Sequence, residues 1–133
     1  MDMEIKKKEF KFKGRTLEEL KTLDIREFAT LLRSRQRRTA LRQFQDIENF
    51  VKRVQVKIAK GKKSVKTHRR DLIMVPALVG LRLQIYNGRE FLPVDVTAEM
   101  LGHKFGEFSL TRARIKHTKG GLGVTKKKAP PKK

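Results

Sequence analysis

Leu81 to Val96 reads LRLQIYNGREFLPVDV. Leu81, Leu83 and Ile85 alternate with Arg82, Gln84 and Tyr86, which is the period of a strand that buries one face. Asn87-Gly88 separates this run from a second one, Phe91 to Val96. Asn-Gly between alternating runs is the strongest short-range hairpin signal, because both central residues of a type I′ turn need positive φ. A two-residue loop at Asn87-Gly88 sets Tyr86 opposite Arg89, Gln84 opposite Phe91, Leu83 opposite Leu92 and Leu81 opposite Val94. One face then carries Leu81, Leu83, Ile85, Leu92, Val94 and Val96; the other carries Arg82, Gln84, Tyr86, Arg89 and Phe91. Pro93 has no N–H to donate, so its strand is expected at an edge or interrupted there.

Upstream of the hairpin, Leu72 to Val75 is apolar and precedes Pro76, which favours extended backbone and reads as a buried strand. Lys62 to Arg70, KKSVKTHRR, shows no apolar period and reads as an exposed basic loop. Further back the period becomes helical. Thr16 with Glu19 forms a capping-box pattern for a short helix through Lys21, and Asp24 with Glu27 repeats it for a helix ending near Ser34. Leu41, Phe44, Ile47, Val51, Val54 and Ile58 mark one longer amphipathic helix up to Lys60, stopped by Gly61. Phe10 and Phe12 alternate with charge as a short half-buried strand. Downstream, Thr97, Met100 and Leu101 suggest a short helix cut off by Gly102, and Gly102 and Gly106 bracket a compact turn. Beyond Leu110 no usable apolar period remains, and a disordered basic tail is expected unless a partner orders it.

Charge is distributed unevenly along the chain. The 133 residues hold 34 Lys and Arg against 14 Asp and Glu, a net charge of +20. Residues 49–70 carry 9 basic side chains and no acid, and residues 109–133 carry another 9 and no acid, whereas residues 71–108 carry 3 basic and 5 acidic. A near-neutral unit between two acid-free cationic segments is the pattern of a folded module with arms for phosphate. Cysteine is absent, which excludes disulfides, thiolate chemistry and any Cys/His zinc site. The amino terminus has no apolar signal region, and the uncharged run Leu72 to Leu81 is too short to span a bilayer, so a cytoplasmic protein without membrane contact is expected.

The candidate chemistry is polyanion binding. His68, His103 and His117 lack ligand spacing and sit beside Lys or Arg, so phosphate or ribose contact fits them better than a metal. Thr67-His68-Arg69-Arg70 and Thr111-Arg112-Ala113-Arg114 with Lys116 and His117 supply clustered donors for phosphate oxygens on two sides of the module. Arg35, Arg37, Arg38, Lys63, Lys66, Arg82, Asn87, Arg89 and Lys104 complete the candidate set. Asp71, Asp95, Glu99 and Glu107 have no nucleophile motif beside them and read as turn or cap residues, so neither catalysis nor a cofactor is expected. An architectural DNA-binding protein would share the charge but would need a recognition helix or minor-groove wedge, and neither is present in the sequence pattern.

Pro76, Gly80, Asn87-Gly88-Arg89, Pro93-Val94, Met100, Gly102-His103-Lys104, Gly106-Glu107-Phe108 and Thr111-Arg112 stand in the order and spacing of a known signature. Through them the chain resembles the universal small-subunit ribosomal protein nineteen family, over residues 67–112. Residues 1–60 resemble, more loosely, the helical extension of the archaeal and eukaryotic branch, whose eukaryotic member is called protein fifteen. The signature opens with Thr67-His68 where bacterial relatives have Trp and Ser, which points to an archaeal source. The resemblance implies a non-enzymatic protein of the small-subunit head, bound to the 3′ domain of small-subunit rRNA beside protein thirteen, with a tail toward the tRNA sites. The expected architecture is α+β. It has an N-terminal helical basic extension (1–66), a module with a small antiparallel sheet, a hairpin and a short helix (67–112), and a flexible basic tail (113–133).

Overall fold

The computed structural model describes residues 9–115. The candidate residues Lys116 and His117, and most of the expected tail, lie outside them. Four helices come first: α1 (Leu17–Thr22), α2 (Ile25–Leu31), α3 (Ser34–Arg42) and α4 (Phe44–Ala59). The strands β1 (Val65–Thr67), β2 (Arg82–Tyr86) and β3 (Phe91–Asp95) follow, with single 3₁₀ turns at Pro76–Leu78, Ala98–Met100 and Phe105–Phe108. The α+β class is as expected.

The first two helices start where the sequence places them. The Thr16 N–H donates to Glu19 Oε2 at 3.0 Å, and the Glu19 N–H points back to Thr16 Oγ1 at 3.5 Å. Asp24 N–H likewise donates to Glu27 Oε2 at 3.3 Å. α2 ends at Leu31, short of Ser34, because α3 begins at once. Arg37 Nη2 reaches back from α3 to the carbonyls of Thr30 and Leu32, 3.2 Å from each, and so serves the carbonyls at the end of α2.

The single helix expected from Leu41 to Lys60 is two helices that meet at Gln43, whose φ of −105° and ψ of 18° break the spiral. Gln43 Nε2 donates to Asp71 Oδ2 at 2.8 Å, so a polar anchor fixes the corner to the segment before the hairpin. Ile47 and Val54 of the apolar stripe are buried and Phe50 joins them, whereas Leu41 and Ile58 are exposed.

The sheet is mixed, not antiparallel as expected. Its order is β1-β2-β3, with β1 parallel to β2 and β2 antiparallel to β3. β1 lies inside the stretch read as an exposed loop. Val65 and Thr67 are buried while Lys66 points outward, a strand alternation too short to register among lysines. The hairpin pairs Arg82 with Asp95, Leu83 with Val94, Ile85 with Leu92 and Tyr86 with Phe91. This register is shifted by two residues from the expected one, and the turn residues are Gly88 and Arg89. The cause is the Asn87 side chain. Its Oδ1 accepts from the N–H groups of Arg89 (2.9 Å) and Glu90 (2.8 Å), which makes Asn87 the residue before the turn. Only Gly88 then needs positive φ, at 99°. A shift of two leaves every side chain on its expected face, and Leu83, Ile85, Val94 and Val96 are buried. β3 is an edge strand, which accommodates Pro93.

Leu72 to Val75 is buried, but it forms no regular strand before the turn at Pro76. It makes one bridge, Ile73 with Lys104, and backbone bonds from Met74 N–H to His103 O (2.8 Å) and from Phe105 N–H to Leu72 O (3.0 Å). Phe10 and Phe12 form no strand either; Phe12 bridges Arg15 across a tight turn. Helices, sheet and connecting segments share one core that runs from Leu20 and Phe28 through Phe50 and Ile73 to Leu83 and Phe105.

Candidate nucleic-acid interface

Neighbouring cations in this fold have different surroundings. Arg70 follows β1 and turns its guanidinium across the module. Nη1 donates to Tyr86 O at 2.6 Å, and Nη2 donates to Gly106 O at 3.0 Å and Ser109 O at 2.5 Å. Ser109 is itself buried and donates from Oγ to Ile85 O at 3.2 Å. Gly106 lets the backbones close, since a Cβ there would stand 3.2 Å from Arg70 O. Arg70 therefore ties the end of β2 to the last turn of the module.

Arg69 is also engaged. Nε and Nη2 form a fork on Asp71, at 2.9 and 3.0 Å, and Nη2 also reaches Asp46 of α4 at 3.0 Å. The hydrogen bond from Arg69 holds the Asp71 carboxyl below its ordinary range, and the two carboxylates raise the guanidinium in turn. Arg82 forms a second, solvent-exposed fork on Asp95, at 2.5 and 3.0 Å, and it lowers the Asp95 carboxyl. His103 Nδ1 lies 2.6 Å from Glu107 Oε2. Arg37 is held at the end of α2, and Asn87 at the turn.

Among the described residues the other candidates make no ion pair: Arg35 and Arg38 on α3, Lys63 and Lys66 around β1, Arg89 at the turn, Lys104, and Arg112 and Arg114 beyond the core. All but Lys104 are exposed. Thr111 is exposed beside Arg112. Several cationic side chains without internal ion pairs are what a phosphate surface requires.

Two features were not singled out from the sequence. Arg53 and Lys57 of α4 line a cleft of about 270 Å³ together with Lys66, His68 and Arg69. Their place on the polar side of α4 was legible, but their meeting with β1 depended on a strand that was not. The other feature is aromatic. His68, Tyr86 and Phe91 form one row across the outer face of the sheet, with ring centroids 4.6 to 5.0 Å apart. Lys66 Nζ stands 5.2 Å from the Phe91 centroid. The hairpin alternation had already put Tyr86 and Phe91 on that face; His68 joins through β1.

No group of three His, Asp or Glu among the described residues is arranged to hold a metal ion, and none of the described helices is long and apolar enough to cross a membrane. The fold and this surface define a small cationic α+β module built to meet a polyanion. The model of the family described as ribosomal protein S19 matches residues 33–117, and the chain belongs to that family. It is 40% identical over 121 residues to the small ribosomal subunit protein uS19 of Methanococcoides burtonii, an archaeon, covering 91% of this chain and 86% of the relative. The family is structural and non-enzymatic, and its place is the small ribosomal subunit, in the cytoplasm.

Proposed function

We propose that the chain binds folded small-subunit rRNA, in its 3′ domain within the subunit head, beside protein thirteen, and that its C-terminal segment runs toward the tRNA sites. The observation that carries the RNA part is the split among the cations. Arg69, Arg70 and Arg82 are held by internal carboxylates and carbonyls, while Arg35, Arg38, Lys63, Lys66, Arg89, Lys104, Arg112 and Arg114 make no ion pair among the described residues. Donors with fixed roots and no internal acceptor recognise the shape and phosphate spacing of folded RNA. We also propose that the helical extension (1–66) and the 67–112 module each add cations to this surface from their own side.

The test is reconstitution of the purified protein onto small-subunit rRNA, followed by hydroxyl-radical footprinting and sedimentation in moderate salt. Co-sedimentation with protection confined to the 3′ domain is expected, and protection should extend when protein thirteen is added. Co-sedimentation with protection in another domain would remove the proposed location. Failure to co-sediment would remove rRNA as the ligand.

A further inference from the structure

The outer face of the sheet presents an aromatic row that the fold does not need for its core. β2 already buries Leu83 and Ile85 on the inner side. On the other side the sheet pairing sets Lys66, Gln84 and Pro93 in one row, and Tyr86 and Phe91, joined by His68, in the next. Lys66 and His68 are exposed, and Gln84, Tyr86 and Phe91 are half-buried. Tyr86 is tilted 50° to Phe91 and 56° to His68, and His68 meets Phe91 at 75°, so the three rings form an open cup.

The surroundings are cationic. Lys66 overhangs Phe91, and the cleft lined by Arg53, Lys57, Lys66 and Arg69 opens beside His68. The aromatic row carries no carboxylate. The acid further along the face, Asp95, lies two rows away and is forked by Arg82. An apolar π surface next to a cleft lined by cations matches a nucleotide: a base has a face to stack, and its phosphate sits one sugar away.

We infer that the His68–Tyr86–Phe91 cup stacks an unpaired RNA base whose flanking phosphate lies in the α4–β1 cleft at Arg53, Lys57 and Lys66. This deepens the rRNA reading above by naming a contact to a single-stranded nucleotide, and it rests on that reading. Tyr86 is the only tyrosine of a chain without tryptophan, so its emission reports directly on the cup.

The full chain is titrated at low salt with hexauridylate and with an abasic ribose-phosphate hexamer of equal charge. Hexauridylate is expected to quench Tyr86 and to bind roughly 5- to 140-fold more tightly, the equivalent of about 1 to 3 kcal/mol for one stacked base. Phe91→Leu keeps an apolar side chain but removes the π face, and should abolish most of that preference. Phe91→Tyr should restore it. Circular dichroism checks the fold, and His68→Ala, at an exposed position, gives a second reading if Phe91→Leu is unstable. Equal binding of the two hexamers with unchanged Tyr86 emission would overturn the stacking site while the rRNA reading stood. Absence of binding to either hexamer, together with failure to co-sediment with small-subunit rRNA, would overturn both.

Discussion

Arg70 and Arg89 show how little residue type says about role. Arg89 is exposed at the hairpin turn, and its guanidinium makes no internal bond; Arg70 donates to three carbonyls of three different residues. Arg70→Ala should lower stability by at least about 1.5 to 3 kcal/mol, the range for one hydrogen bond to a charged group. Arg89→Ala should leave the urea midpoint unchanged and weaken RNA binding alone. Leu83→Ala, at a position with no solvent exposure, should cost roughly 2 to 5 kcal/mol through lost burial and a residual cavity. An Arg70→Ala variant as stable as the parent would show that this guanidinium is not a tie. Asp71 gives a pH prediction. Its pKa is depressed in the folded state by the bond from Arg69, so its contribution is present above the ordinary carboxylate range near about 3.9 and is lost as pH falls through the lower folded value. The parent should therefore lose urea resistance more steeply than Asp71→Asn below about pH 4, by a small margin because both partners are part-exposed.

Among the elements, the hairpin faces were legible and the register was not. Alternation determines which side of β2 and β3 is apolar, and a slip of two residues leaves that pattern unchanged. The slip came from the Asn87 carboxamide, whose choice between occupying the turn and capping it depends on local geometry below the resolution of a sequence pattern. α1 and α2 were legible because their caps are local, three residues apart. The break at Gln43 and the strand at Val65–Thr67 were not, since each depends on a partner far along the chain: Asp71 for Gln43, and β2 for β1. The same distance dependence hid the role of Arg70, whose acceptors lie on β2 and the last turn, and the reach of Arg69 to Asp46 on α4, although its fork on Asp71 spans only two residues. Gly102 is an element-scale test of the packing. Its φ is 81°, and a Cβ there would meet Leu32 Cδ2 at 2.8 Å, so α2 and the 102–106 turn close on each other through a missing side chain. Gly102→Ala should cost more than about 1 kcal/mol, from strain at positive φ and displacement of Leu32. A midpoint shift of the opposite sign in urea would contradict that packing.

At the scale of the whole molecule, a net charge of +20 resists compaction and favours a polyanion at once. The fold separates the two demands. Asp46, Asp71 and Asp95 neutralise Arg69 and Arg82 on the surface of the module, and other cations stand there without internal ion pairs. Charge arithmetic alone reached a basic module on a phosphate surface. Which cations point outward was legible for Arg35, Arg38, Arg89, Arg112 and Arg114, and became visible for Arg53 and Lys57 only once α4 and β1 were seen to share a cleft. The central claim is that the cations without internal partners carry the RNA contact, and the salt dependence of rRNA binding tests it most directly. With about eight phosphates neutralised, affinity should fall roughly 10³- to 10⁵-fold between about 50 and 200 mM salt. Replacing Arg112 and Arg114 together by Gln should reduce the slope of log affinity against log salt by about 2, whereas Arg82→Gln should leave it nearly unchanged. A flat titration, or a slope that depends on Arg82 and not on Arg112 and Arg114, would contradict the account.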